Sequence, residues 1–223
     1  MAIYMPEEKP PELPSAGSHV GICIRVVDLG TQPGMYGPRP QVQFSWELPE
    51  ELMSDSRPFV VNRRCGLNSS RKGHLRDIVE SWVGRVLTKS ELGKFDLGEL
   101  LGTTCQIGIK HETKEDRTYA VVTSVMKRSK GVAERLPPTN EAIGFSLADR
   151  PFRQFEYDKL PEWMRATIAK APEYAAAIAP QPQGKGQITA GTKQRLKAIL
   201  AADNPAPKPE PVVEDLDDEI PFE

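Results

Sequence analysis

Ser18-His19-Val20-Gly21-Ile22-Cys23-Ile24-Arg25-Val26 decides how the chain is to be read. Val20, Ile22, Ile24 and Val26 alternate with His19, Gly21, Cys23 and Arg25, and a period of two puts alternate side chains on one face of a strand. The expectation is a strand with its aliphatic face on a core. The pattern breaks at Asp28 to Gly30. Thr31 to Pro40 then carries three prolines and two glycines around Met35-Tyr36, which predicts a loop longer than a tight hairpin turn.

Outward from that strand the alternation returns twice before the period changes. Val42, Phe44, Trp46 and Leu48 share one face against Gln43, Ser45 and Glu47, so Gln41 to Leu48 predicts a second strand with a polar solvent side. Pro49 to Arg57 reads as a loop, and Phe59 to Leu67 as a third strand. Asn68-Ser69-Ser70 offers helix caps, and Leu75, Ile78, Val79 and Trp82 fall at helical spacing until Gly84 stops the run. Phe95-Asp96-Leu97 with Leu100-Leu101-Gly102 forms a short apolar element. Cys105, Ile107 and Ile109 then alternate in a fourth strand, His111 to Thr118 reads as a charged loop, and Tyr119 to Met126 as a fifth strand.

Three strands, a helix and two strands over residues 18–130 is the order of the oligonucleotide-binding barrel, the OB-fold. The order alone leaves a small Greek-key or SH3-like barrel open. The expected class is therefore mainly β, a five-stranded OB-fold barrel with a helix between strands 3 and 4, followed by a largely disordered C-terminal tail. Residues 1–17, with four prolines and little to bury, read as a flexible arm. Residues 131–179 read as an extension with a short helix, opened by Pro161 and striped by Trp163, Met164 and Ile168, expected to pack back on the barrel. Residues 180–212 read as a flexible linker, with a possible short amphipathic helix at Leu196, Ile199 and Leu200 and then alternating prolines.

Composition fits a modest core with long irregular segments: hydrophobic residues are 39% of 223, and there are 21 prolines. Residues 18–130 hold 17 bases and 13 acids, whereas residues 211–223 hold six acids and no base. A mildly basic body is tethered to an acidic end. Cys23, Cys65 and Cys105 are far apart and lie in apolar runs, so they read as buried hydrophobes in a reducing cytoplasm rather than a disulfide or metal framework. His19, His74 and His111 share no ligand spacing. No cofactor or metal is expected, and no leader or membrane span is read. There is no phosphate-binding glycine loop and no nucleophile elbow, so an enzyme is not expected.

Residues 213–223 end in Asp215, Asp217, Asp218, Glu219, Ile220, Pro221 and Phe222, acids closing on a short apolar plug. Acid followed by such a plug suits a basic-rimmed pocket on a partner protein. This tip resembles the acidic C-terminal tip of bacterial and phage single-stranded DNA-binding proteins, with the departure that Glu223 follows the phenylalanine. Asp28-Leu29-Gly30-Thr31-Gln32, Trp46-Glu47-Leu48-Pro49, Glu80-Ser81-Trp82, Phe95-Asp96-Leu97 and Leu160-Pro161-Glu162-Trp163 are in turn similar to a phage and prophage family of small replication-type proteins. The two resemblances imply a bacteriophage single-stranded DNA-binding protein in the cytoplasm of a bacterial host. They imply single-stranded DNA and replication or recombination proteins as partners, with a homo-oligomer possible.

Binding single strands without sequence preference needs cations for phosphates and aromatic faces for bases in one groove. The candidate cations are Arg25, Arg63, Arg64 and Lys110 on the strands, Lys114 and Arg117 in the charged loop, and Lys127 and Arg128 at the end of the fifth strand. Tyr36, in a loop without a core to fill, is the first candidate for stacking. Tyr119 is open between core and surface. Trp46 and Trp82 lie on core stripes. The alternative is a non-enzymatic interaction protein whose tail mimics the host tip and which binds little DNA.

Overall fold

The computed structural model describes residues 11–34, 37–68 and 74–179. Its organising element is β1, Gly17–Gln32, a single strand of 16 residues. It does not break at Asp28 as the sequence pattern suggested. A bulge there lets the ladder continue, with Gly30 at φ +68° and its amide bonded to Asp28 Oδ1 at 2.8 Å. β2, Arg39–Leu52, pairs antiparallel with β1, and β3, Pro58–Gly66, pairs antiparallel with β2.

α1, His74–Val83, buries the predicted stripe of Leu75, Ile78, Val79 and Trp82 and ends at Gly84, φ +74°. The Ser69 and Ser70 caps lie outside the described residues. α2, Lys89–Leu92, is one turn with a Thr88/Glu91 capping box, and a 3-10 turn follows at Leu97–Leu100. β4, Thr104–Lys114, and β5, Arg117–Lys127, then form a hairpin. Most of the expected charged loop is thus strand. Its turn is Glu115-Asp116, both left-handed at φ 48° and 64°, as a two-residue hairpin turn requires.

The strand order is β3-β2-β1-β4-β5, and a sixth strand, β6, Ile143–Phe145, pairs parallel with β1 where β4 has left it. The molecule is therefore mainly β, built on an open sheet of six strands rather than the five expected. Among the described residues no backbone ladder joins β3 to β5.

The register of β1 corrects the sequence reading of its faces. Cys23 lies opposite Trp46 and joins the first core, while Ile22 lies opposite Glu47 on the other face. The bulge between Cys23 and Arg25 changes the phase, so Val26 returns to the first core. That core stacks Phe44, Trp46 and Trp82 with ring centroids 5.6 to 6.1 Å apart, over the α1 stripe. Trp46 and Trp82 are core residues, as their stripes predicted.

A second core covers the other face of β1. Val27 and Leu29 meet Ile143, Phe145 and Leu147, together with side chains from α3, Gln154–Asp158, α4, Glu162–Ile168, and α5, Pro172–Ile178. Met164 and Ile168 are fully buried, whereas Trp163 is exposed. Each fully buried side chain of this size contributes about 1.5–3 kcal/mol, so the extension is held firmly rather than resting on the sheet. The described residues up to Ala179 form one compact unit.

Polar contacts complete the attachment. Glu173 accepts from the Thr31 amide and hydroxyl; burial works against its ionisation, but these bonds prevail and hold its carboxyl below the usual range. Of the arm, residues 11–16 are tied down, with Pro14 buried and its carbonyl bonded to His111 Nε2, and Ser15 bonded to Glu51. No helix among the described residues is long and apolar enough to cross a membrane.

All three cysteines are free and buried, and burial pushes each thiol above its ordinary pKa. The native protein is expected to resist a disulfide reagent at neutral pH and to release three equivalents on unfolding in guanidinium, read by thionitrobenzoate absorbance. Rapid native labelling of even one thiol would show a core that opens.

Candidate nucleic-acid interface

On the face of β1, β2 and β3 turned away from the first core, a polar set lies beside the second core. Arg25 lies opposite Ser45, Ser45 opposite Asn62, and Gln43 opposite Arg64, so these five side chains share one surface across three strands. Ser45 Oγ donates to Asn62 Oδ1 at 2.7 Å. Arg64 is exposed and has no ion pair among the described residues, so its charge is available. Arg25 is not the solvent-facing base expected. It is half-buried, its Nε has no hydrogen-bond partner, and burial lowers the guanidinium below its ordinary pKa.

Neither is the polar side of β2 open to solvent. Gln41, Gln43, Ser45 and Glu47 are all at most 7% exposed. Glu47 is the clearest case, because its carboxylate accepts from Thr139 N, Asn140 N and Asn140 Nδ2 at 2.7 to 2.8 Å. The extension is thereby fastened across β2.

Arg63 points the other way. It lies opposite Phe44, and its Nη1 donates to Val122 O on β5 at 2.8 Å, bridging the two ends of the open sheet. Its donors serve the fold, and a strand of DNA would have to compete with that bond.

The β4–β5 hairpin does gather several candidates. Lys114 faces Arg117, Glu112 faces Tyr119, and Lys110 faces Val121, so Lys110, Lys114, Arg117 and Tyr119 lie on one side of the ribbon. Tyr119 is 47% exposed, which settles it as a surface ring. Acids are mixed among these bases, however. Lys110 Nζ is 2.6 Å from Glu112, whose carboxyl it holds below the usual range, and Glu115 and Asp116 sit in the turn. Residues 110–117 hold three bases and three acids, so the tip carries no net charge.

Lys127 and Arg128 lie at the opposite end of β5. Lys127 faces Cys105, its stem running over Gly84, and Arg128 Nη1 donates to Val132 O at 2.7 Å. Apart from Arg63, the candidate cations therefore fall into three groups, on the β1–β2–β3 face, on the hairpin, and beside the end of α1. The register also separates the β1–β2 connection from the β4–β5 turn, since Gln32 pairs with Arg39 at one end of β1 and Gly17 with Ile109 at the other. Tyr36 and the tip residues Asp215, Asp217, Asp218, Glu219, Ile220, Pro221 and Phe222 lie outside the described residues.

Two bases escaped the sequence reading. Arg39 is exposed at the start of β2, its guanidinium 3.3 Å from the position a Cβ on Gly34 would take. Its place directly after the Pro/Gly loop was the available signal. Arg85, next to the helix-stopping Gly84, is the other, and it pairs with Glu91 at 2.7 Å.

Among the described residues no three His, Cys, Asp or Glu side chains converge on a metal-binding arrangement. No protein-family model matches the chain, and no curated protein matches it.

Proposed function

We propose that the chain binds single-stranded DNA without marked sequence preference in phage DNA replication or recombination, and that its acidic C-terminal tip recruits partner proteins. The observation that carries this reading is the connectivity. β1 is shared between β2 and β4, α1 lies between β3 and β4, and Arg63 reaches from β3 to Val122 on β5, an element order and a side-chain contact that support an OB-fold reading. On such a fold the strand lies against Arg64 and the hairpin bases Lys110, Lys114 and Arg117, with Tyr119 and Tyr36 offering rings for stacking. The host cell cytoplasm is the compartment this role requires.

Titration of a fluorescent oligo-dT tests it, using the full chain and a truncation ending at Pro211. With four phosphate contacts, a slope of roughly 0.7 per contact implies an affinity loss of about fiftyfold for a fourfold rise in salt. Truncation is expected to tighten binding by removing six competing acids. Arg64→Glu with Lys110→Glu should abolish most of the salt-dependent part. Binding that ignores both charge reversals excludes this face.

The neutral hairpin tip and the half-buried Arg25 favour a second reading, an interaction protein whose tail mimics the host tip and which binds DNA weakly. No oligo-dT binding in either form, with retained tail-dependent partner binding, selects it.

A further inference from the structure

A cleft of about 440 Å³ opens beside the C-terminal end of α1. Trp82, Phe95 and Leu100 line its apolar part, and Arg85, Lys127 and Arg128 its cationic part. Lys127 and Arg128 make no ion pair among the described residues. Both are nevertheless held in place. A Cβ on Gly84 would lie 2.4 Å from Lys127 Cδ, so the absence of a side chain there gives the lysine stem its path. Arg128 is fixed by its bond to Val132 O. Cations whose rotamers are already restricted lose little entropy on gripping an anion.

A lysine near a helix C-terminus also has an ordinary role in facing the last carbonyls. Here Glu80 O already accepts from both Gly84 N and Arg85 N. Nor does that role account for an aromatic wall beside the ammonium. The opposing charges are Glu99 and Glu134 on the lining and Glu91 on Arg85, so the cleft is not a general anion trap. A ligand that pairs one phosphate with a flat apolar ring fits this mixture better than a bare anion does. The volume falls in the range of sites for small molecules.

We propose that this cleft binds a single nucleotide bearing a terminal phosphate, such as the phosphorylated end of a DNA strand. The phosphate lies between Lys127 and Arg128, and the base against Phe95, over the buried Trp82. The choice of a nucleotide among phosphate esters rests on the nucleic-acid reading above; the site itself is distinct from the hairpin and from Arg64.

The test is titration of the full-length protein with dTMP, thymidine and inorganic phosphate, followed by the assigned indole N–H resonance of Trp82. Saturable shifts with dTMP, weak ones with thymidine or phosphate, support the site. Lys127→Glu is expected to weaken dTMP at least about tenfold, Lys127→Arg to restore it, and Lys170→Glu, at an exposed lysine outside both surfaces, to leave it unchanged. Phosphate as effective as dTMP, or no saturable dTMP shift at millimolar ligand in the folded protein, overturns the proposal. Oligo-dT titrated in parallel keeps the two readings apart: dTMP binding without oligo-dT binding removes the coating role and leaves the cleft, and the converse removes the cleft alone.

Discussion

Glu47→Ala is expected to lower the unfolding free energy by about 3–5 kcal/mol. The side chain is 1% exposed and serves as acceptor for three donors, two of them backbone amides of Thr139 and Asn140. Removing it strands those donors against a buried strand, and each orphaned donor costs about 1–3 kcal/mol. Against a total stability of about 5–15 kcal/mol that is a large fraction. Glu47→Gln should fall between, because its amide keeps one acceptor oxygen but turns an NH₂ group toward other donors. Urea unfolding followed by circular dichroism measures both. An Ala variant within about 1 kcal/mol of the parent would mean that the Thr139-Asn140 segment is held by something else.

Gly30→Ala is expected to cost about 2–4 kcal/mol, for two separable reasons. The residue sits at φ +68°, where a side chain is strained, and a Cβ there would lie 2.5 Å from Ala171 Cβ and 2.8 Å from Leu147 Cδ1. Ala171 has no flexible end to swing aside, so α5 itself must move, and with it the Glu173 grip on Thr31. Gly30→Asn relaxes the backbone strain but keeps the clash, and should remain destabilised. Adding Ala171→Gly to Gly30→Ala removes the contact with Ala171 but not that with Leu147 and should recover part of the loss, measured as a coupling in a double-mutant cycle. Full stability of Gly30→Ala alone would show that the extension yields freely at this point.

The sequence patterns that held are those governed by local periodicity. The α1 stripe of Leu75, Ile78, Val79 and Trp82 is buried as spaced, and β2 presents Val42, Phe44, Trp46 and Leu48 to the first core. What misled was the equation of polarity with solvent. Gln43, Ser45 and Glu47 read as an open face, yet all three lie buried, and Glu47 is bonded by Thr139 and Asn140, which return from far along the chain. A one-residue bulge after Cys23 then reversed which side of β1 meets which core, something no alternation of similar aliphatics records. β6 left no trace, since three residues in a parallel pairing are too few to show a period. Among the candidate site residues, Tyr119 and Arg64 proved exposed, whereas Arg63 was drawn into a long-range bond to Val122 that its neighbours in sequence do not announce.

β1 belongs to both cores at once, giving Cys23 and Val26 to one and Val27 and Leu29 to the other. A boundary drawn at residue 130 would therefore cut through a shared wall. The shortened sheet would keep β1 to β5 but show a bare aliphatic flank and an unpaired strand edge where β6 had been, the combination that makes sheets stick to one another. Two modules that meet through one strand inherit a common fate: loops around them can diverge freely, but neither module can be traded, trimmed or grafted without the other.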